Sequence, residues 1–198
     1  MIQTRYPVAY VSGSWLASSG TTADIPGLID DVGEPDPAGY AYSTYAGFPT
    51  SKLLLTTDPF AVTASSIASV SVIVEWAVIH FAGTNFQGAA YLVVGGTQYA
   101  GEPAGTYIVH DGSYESFTTV WATNPVTHAA WTEAQVKNLA QSANLTGIAI
   151  EKGYHLTETF TLRVAAVRVE LDFEGTDNDP VVVARPVVIP NHYRLRSR

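Results

Sequence analysis

The chain has 198 residues, of which 46 % are hydrophobic and only 14 % charged, with a formal net charge of −8. That acidic balance argues against a nucleic-acid binder, because a phosphate backbone selects a basic surface. There is no cysteine, which excludes disulfides, zinc–thiolate sites, iron–sulfur clusters and cysteine nucleophiles, and no apolar run approaches the roughly 20 residues that span a bilayer.

The opening stretch MIQTRYPVAY lacks the basic-then-apolar order of a signal peptide. Residues 13–36 are rich in Ser, Thr, Gly, Pro and Asp and read mostly as loop, with a short helical turn near 25–29. Residues 40–45 and 52–55 read as the first strands. The segment 70–81 (VSVIVEWAVIHF) is a strong strand. Val70, Val72, Val74, Trp76 and Val78 share one face, and Glu75 marks the other, which is apolar enough to call for a cover.

Residues 89–94 and 97–100 flank Gly95-Gly96, a hairpin signal, since a tight primed turn needs positive φ. Residues 106–110 and 113–121 flank Asp111-Gly112 and read as a second hairpin. One helix is specified near 132–141. Thr132 and Gln135 form a capping box, Trp131 and Val136 occupy staple positions, and Val136, Leu139 and Ala140 face the core. In 160–173 (FTLRVAAVRVELDF), Phe160, Leu162 and Val164 have one parity and Val167, Val169, Leu171 and Phe173 the other. Side chains alternate with period two, so this flip predicts a bulge at Ala165-Ala166.

Strands with turn signals and one minor helix predict an all-β fold: a two-sheet antiparallel β-sandwich, jelly-roll-like. It is expected to occupy residues 1–174. After Phe173 a polar linker, 174–180, leads to an apolar stretch broken by Pro186 and closed by Pro190, and then to a basic end. Residues 175–198 therefore read as an extended C-terminal arm. Its partner-binding candidates are Val181, Val182, Val183, Val187, Val188, Ile189, Tyr193, Arg194, Arg196 and Arg198. Two readings stay open. In one, the arm is a frayed tail or a last edge strand of its own sandwich. In the other, the valines dock on a neighbour by strand addition while the arginines meet an acidic surface.

Two stretches carry a resemblance. The first joins Trp121-Ala-Thr-Asn-Pro125, residues 130–136 (AWTEAQV) and the alternating strand 162–173 with its acidic-aromatic end. The second joins Asp30-Asp31, residues 37–42 and residues 53–59. Together they resemble a pattern in structural proteins of tailed phages: a W-x-x-N-P turn, a W-T-x-x-x-V helix start and a final alternating strand. The second stretch departs in detail, because Ser43 directly follows Tyr42 and the turn is Leu55-Thr-Thr-Asp58-Pro59. The arm after Phe173 departs too.

The resemblance implies a non-enzymatic virion structural protein, a head-decoration, neck or tail accessory subunit, with no catalytic residues and no cofactor. Together with the arm and the acidic balance, the expectation is a homo-oligomer whose partners are a major capsid, neck or tail protein, made in the host cytoplasm and carried in the phage particle, with no role for membrane or nucleic acid.

Other chemistry is weaker. Asp24, Asp30, Asp31, Glu34 and Asp36 form an acidic loop cluster without the residue order of a calcium loop, and Asp177-Asn178-Asp179 reads as a polar linker. His80, His110, His128, His155 and His192 lack metal-ligand spacing, so no metal site is expected. His110-Asp111 lacks a nucleophile elbow, and nothing in the sequence sets the carboxylates Glu75 and Glu170 opposite each other. The alternative function is a carbohydrate-binding β-sandwich module for surface attachment, with a glycan stacking on Tyr40, Tyr42 and Tyr45.

Overall fold

The computed structural model describes residues 1–13, 15–29, 39–43, 51–79, 86–103, 106–108, 113–140, 147–152 and 161–178. In chain order these form β1 (Ile2–Arg5), β2 (Pro7–Gly13), β3 (Leu16–Ala17), α1 (Ile25–Leu28), β4 (Ala41–Ser43), β5 (Ser51–Thr57) and β6 (Val62–Ile79). Then follow β7 (Phe86–Val94), β8 (Thr97–Ala100), β9 (Thr106–Ile108), β10 (Glu115–Trp121), α2 (Glu133–Lys137), β11 (Gly147–Lys152) and β12 (Thr161–Asp177).

Two antiparallel sheets result. Sheet A has the order β10-β6-β12-β4-β3, with β1 also paired to β12; sheet B has the order β2-β5-β11-β7-β8, with β9 also paired to β7. The sets β4-β12-β6-β10 and β5-β11-β7-β8 have the strand order of a jelly roll, in which the chain crosses between sheets at nearly every connection. The expected all-β sandwich is the observed one.

The core follows from alternation. Val70, Val72, Val74 and Trp76 of β6 are fully buried, as are Leu53 and Leu55 of β5, and Leu92 of β7 is nearly so. Each such aliphatic side chain contributes about 1.5–3 kcal/mol on leaving water. The opposite face of β6 is covered as well: Ile73 and Ala77 are buried. In register beside Ile73 stand Thr118 and Arg168, and beside Ala77 stands Arg163.

On β12 the pairing with β6 shifts register between Val164 and Ala166, at the predicted bulge. Leu162 and Val164 before it, and Val167, Val169, Leu171 and Phe173 after it, are all buried. The extra residue lets both parities face the core. The other edge of β12 is shared: β4 pairs with Leu162 to Val164 and β1 with Val169 to Asp172. In the gap between them the Val167 N–H donates to the Ile29 carbonyl at 2.9 Å. The helical turn expected at 25–29 thus plugs a break in the sheet edge, with Ile25 and Ile29 fully buried.

The first hairpin forms as predicted, with Val94 opposite Thr97 and Gly95 and Gly96 at φ 58° and 80°. The second does not. β9 pairs with β7 in sheet B, whereas β10 pairs with β6 in sheet A. A turn signal reports local geometry only, and here the chain changes sheets across 109–112, which lie outside the described residues.

The helix α2 is shorter than expected, ending at Lys137 with a 3₁₀ turn, Asn138–Ala140, after it. Its capping box is present: the Gln135 N–H donates to Thr132 Oγ1 at 3.4 Å, and the Thr132 N–H donates to Gln135 Oε1 at 2.9 Å. Trp131, Val136 and Leu139 are buried, as expected of the staple and core face; the side chain of Ala140 lies outside the description.

Two boundaries are corrected. The earliest strands are β1 and β2 rather than residues 40–45, of which 44 and 45 lie outside the described residues. The stretch after Phe173 begins as strand, since β12 continues to Asp177 against β6. Gly175 makes this continuation fit. Its φ is 149°, and a Cβ there would sit 2.1 Å from the Thr63 carbonyl oxygen. The sandwich therefore runs through Asn178 rather than ending at 174.

Candidate functional site

All ten residues expected to bind partners, Val181, Val182, Val183, Val187, Val188, Ile189, Tyr193, Arg194, Arg196 and Arg198, lie outside the described residues. What the structure does give is the point from which that segment departs. The Asn178 N–H donates to the Ala61 carbonyl at 2.8 Å, and its side-chain amide donates to Thr63 Oγ1 at 2.7 Å. Asp177 accepts from the Gln3 side-chain amide.

Gln3 belongs to a buried polar latch. Its Oε1 accepts from the Ala61 N–H at 2.9 Å and from the Arg5 guanidinium at 3.0 Å. Arg5 Nε donates to the Pro59 carbonyl at 2.8 Å, and the guanidinium lies 5.7 Å from the centroid of the Phe60 ring. Gln3 and Arg5 are 2 % and 8 % exposed, and such groups are tolerated inside only when their hydrogen bonds are made. The latch ties β1, the β5–β6 connection and the end of β12 together. Sequence reading missed it, because Gln3 and Arg5 of IQTR face inward while Ile2 is 62 % exposed. The alternation was present with the opposite sense.

The outer face of sheet A carries the remaining candidates. Glu75 and Glu170 are brought together, but around a cation. Arg168 bonds Glu75 Oε1 at 3.3 Å and Glu170 Oε1 at 3.1 Å. A guanidinium shared between two carboxylates is an ion triad, not an acid–base pair for glycoside cleavage.

Toward the other end of β12 the register aligns Leu16, Tyr42, Arg163 and Ala77 across four strands. Tyr40 and Tyr42 meet edge to face at 5.9 Å between ring centroids, and the Arg163 guanidinium lies 4.3 Å from the centroid of Tyr40. Both tyrosines and Arg163 are half-buried, and Leu16 is exposed. Arg163 Nε is shut from water, and among the described residues it meets no hydrogen-bond acceptor. Two of the three expected platform tyrosines are thus adjacent; Tyr45 lies outside the described residues.

Asp24 is not free for a metal. Its carboxylate accepts from the Thr21 N–H at 2.7 Å and the Thr21 hydroxyl at 2.9 Å, which holds its pKa below the usual value. Asp30, Asp31, Glu34, Asp36 and Asp179 lie outside the described residues, as do His80, His110, Asp111, His155 and His192. Among the described residues no group of three or more His, Asp or Glu is placed to hold a metal ion. His128 has φ 57° in the loop after Trp121, where Asn124 Oδ1 accepts from the Val126 and Thr127 N–H groups at 2.8 and 3.1 Å. That loop is the W-x-x-N-P motif, and its role here is a side-chain-capped turn.

A scan against protein-family models gives no match, and no curated protein is similar in sequence.

Proposed function

We propose that this chain is a non-enzymatic structural subunit of a tailed-phage particle, a head-decoration, neck or tail accessory protein that works by association with other virion proteins and with copies of itself. The observation that carries this reading is the anchoring of the chain at Asp177 and Asn178. Beyond that root lie 20 residues, 179–198, containing six Val or Ile and four Arg. A segment with that apolar content seeks a surface, and a root held by hydrogen bonds to Gln3, Ala61 and Thr63 gives it a fixed starting point. The jelly roll suits the role, being a fold that virus capsid domains use, though folds alone do not assign functions. The motif 121–136 and the strand 162–173 support the phage context by resemblance.

The test compares the full chain with one ending at Asn178, by mass in solution and by binding to particles that lack the protein. Only the full chain is expected to form a defined oligomer or to bind. Two identical monomers, neither of which binds, would refute the assembly reading.

A further inference from the structure

The described residues contain three arginines, and two of them are fully engaged. Arg5 donates to Pro59, Thr4 and Gln3, and Arg168 is shared by Glu75 and Glu170. Arg163 differs. It stands on the same outer face and the same strand as Arg168, yet among the described residues no carboxylate and no hydrogen-bond acceptor meets it. Among the described residues it is a cation without a counterion on a sheet face, in a chain whose net charge is −8.

Its position is set instead by a ring. The guanidinium lies 4.3 Å from the Tyr40 centroid, within cation–π range, and Tyr40 is itself braced by Tyr42 and by the hydrogen bond from its own N–H to Ser18 Oγ at 3.1 Å. Stacking takes up the flat face of the guanidinium and leaves the terminal N–H groups in its plane for a planar anion. Beside it, Tyr42 and the exposed Leu16 supply an apolar strip in register with Arg163.

We propose that Tyr40, Tyr42, Leu16 and Arg163 form a binding site for an acidic sugar of a surface glycan. The sugar carboxylate pairs with the Arg163 terminal N–H groups, and the C–H face of the ring lies on Tyr42 and Leu16. A neutral sugar would use the aromatic strip and leave the cation unpaired. A nucleic acid is disfavoured by the chain's net charge of −8. The site is separate from the root of the C-terminal segment, so it adds attachment to a glycan surface to the assembly role without depending on it.

The experiment is calorimetric titration of the full chain with uronic-acid and sialic-acid oligosaccharides, each beside its carboxyl-reduced counterpart. At least one acidic oligosaccharide is expected to bind about tenfold or more tightly than its reduced form, a factor in keeping with a charge-assisted paired contact. Arg163→Ala should abolish the difference, and Arg163→Lys should restore little of it because a point charge does not stack or fork. Arg168→Ala, on the same strand, should leave binding intact. Each variant is checked for an unchanged thermal midpoint. Equal binding of reduced and acidic forms, binding that survives Arg163→Ala, or no binding by any acidic oligosaccharide would overturn the proposal.

Discussion

The Trp131 indole N–H donates to the Trp121 carbonyl across 2.8 Å, and both residues are buried. The bond closes the ten-position loop between β10 and α2, with the Asn124 N–H donating to the Ala129 carbonyl inside it at 2.9 Å. The Trp121 indole is less demanding, donating at 3.3 Å to the Tyr99 carbonyl. Trp131→Phe, which keeps a ring and loses the donor, should destabilise the fold by about 1–3 kcal/mol. Trp121→Phe should cost less. Urea unfolding of both variants checks the order.

Gly175 of β12 pairs with Ala64 of β6, close against the backbone of Thr63. A methyl group there meets the Thr63 carbonyl at 2.1 Å and also requires φ 149° of a residue with a Cβ. Gly175→Ala should cost about 2–3 kcal/mol and should raise hydrogen exchange at Asp177 and Asn178 ahead of the rest of the chain. Uniform exchange would show that the end of β12 is not a separate opening unit.

Glu133 ties α2 to β6. Its carboxylate pairs with Lys137 and accepts from the Ala64 N–H at 3.1 Å, and these bonds, Lys137 first, lower its pKa from the usual 4.5. A lowered folded-state pKa means the stabilisation is present above the ordinary glutamate range and is lost as pH falls through the folded value. Glu133→Gln should therefore flatten part of the acid limb of the stability curve while changing little near pH 7 in slope. Thermal melts of both proteins between neutral pH and pH 3, about the span over which a glutamate titrates, read this directly.

The bulge at Ala165 can be removed by deletion. Without it, one half of β12 must turn its apolar set outward, either Leu162 and Val164 or the run from Val167 to Phe173. Deleting Ala165 should give insoluble protein, whereas Ala165→Gly should cost about 1 kcal/mol and leave the fold intact. Soluble expression and circular dichroism separate the two.

Some of this was legible in the residues alone. The phase flip around Ala165, the Gly95-Gly96 turn and the Thr132–Gln135 cap are local patterns whose physics acts within a few residues, and each appears where expected. Two kinds of feature were hidden. The strand β1 conceals itself because Gln3 and Arg5 face inward, paired with Ala61, Pro59 and Asp177 from distant parts of the chain. The separation of β9 from β10 into different sheets is a matter of global pairing, on which Asp111-Gly112 is silent. The candidate sugar site divides the same way. Tyr40 and Tyr42 stand out by spacing, but Arg163 becomes distinctive only when the pairing of Arg168 is known. Its neighbours in register come from three other strands, β3, β4 and β6.

The pairing of β12 also dictates an order of events during synthesis. β1 has its partner at the far end of the described chain, with Met1 and Phe173 bonded across 172 positions. β4 and the long β6 wait for the same strand. Until residues 161–177 leave the ribosome, sheet A is little more than β6 with β10, its valine-rich face open and its edges unfilled. Such long-range closure is slow compared with local pairing, so the nascent chain carries this open face from the completion of β6 until β12 emerges. Holding chaperones, rather than the stability of the finished sandwich, should set how much protein is recovered from a fast-translating host.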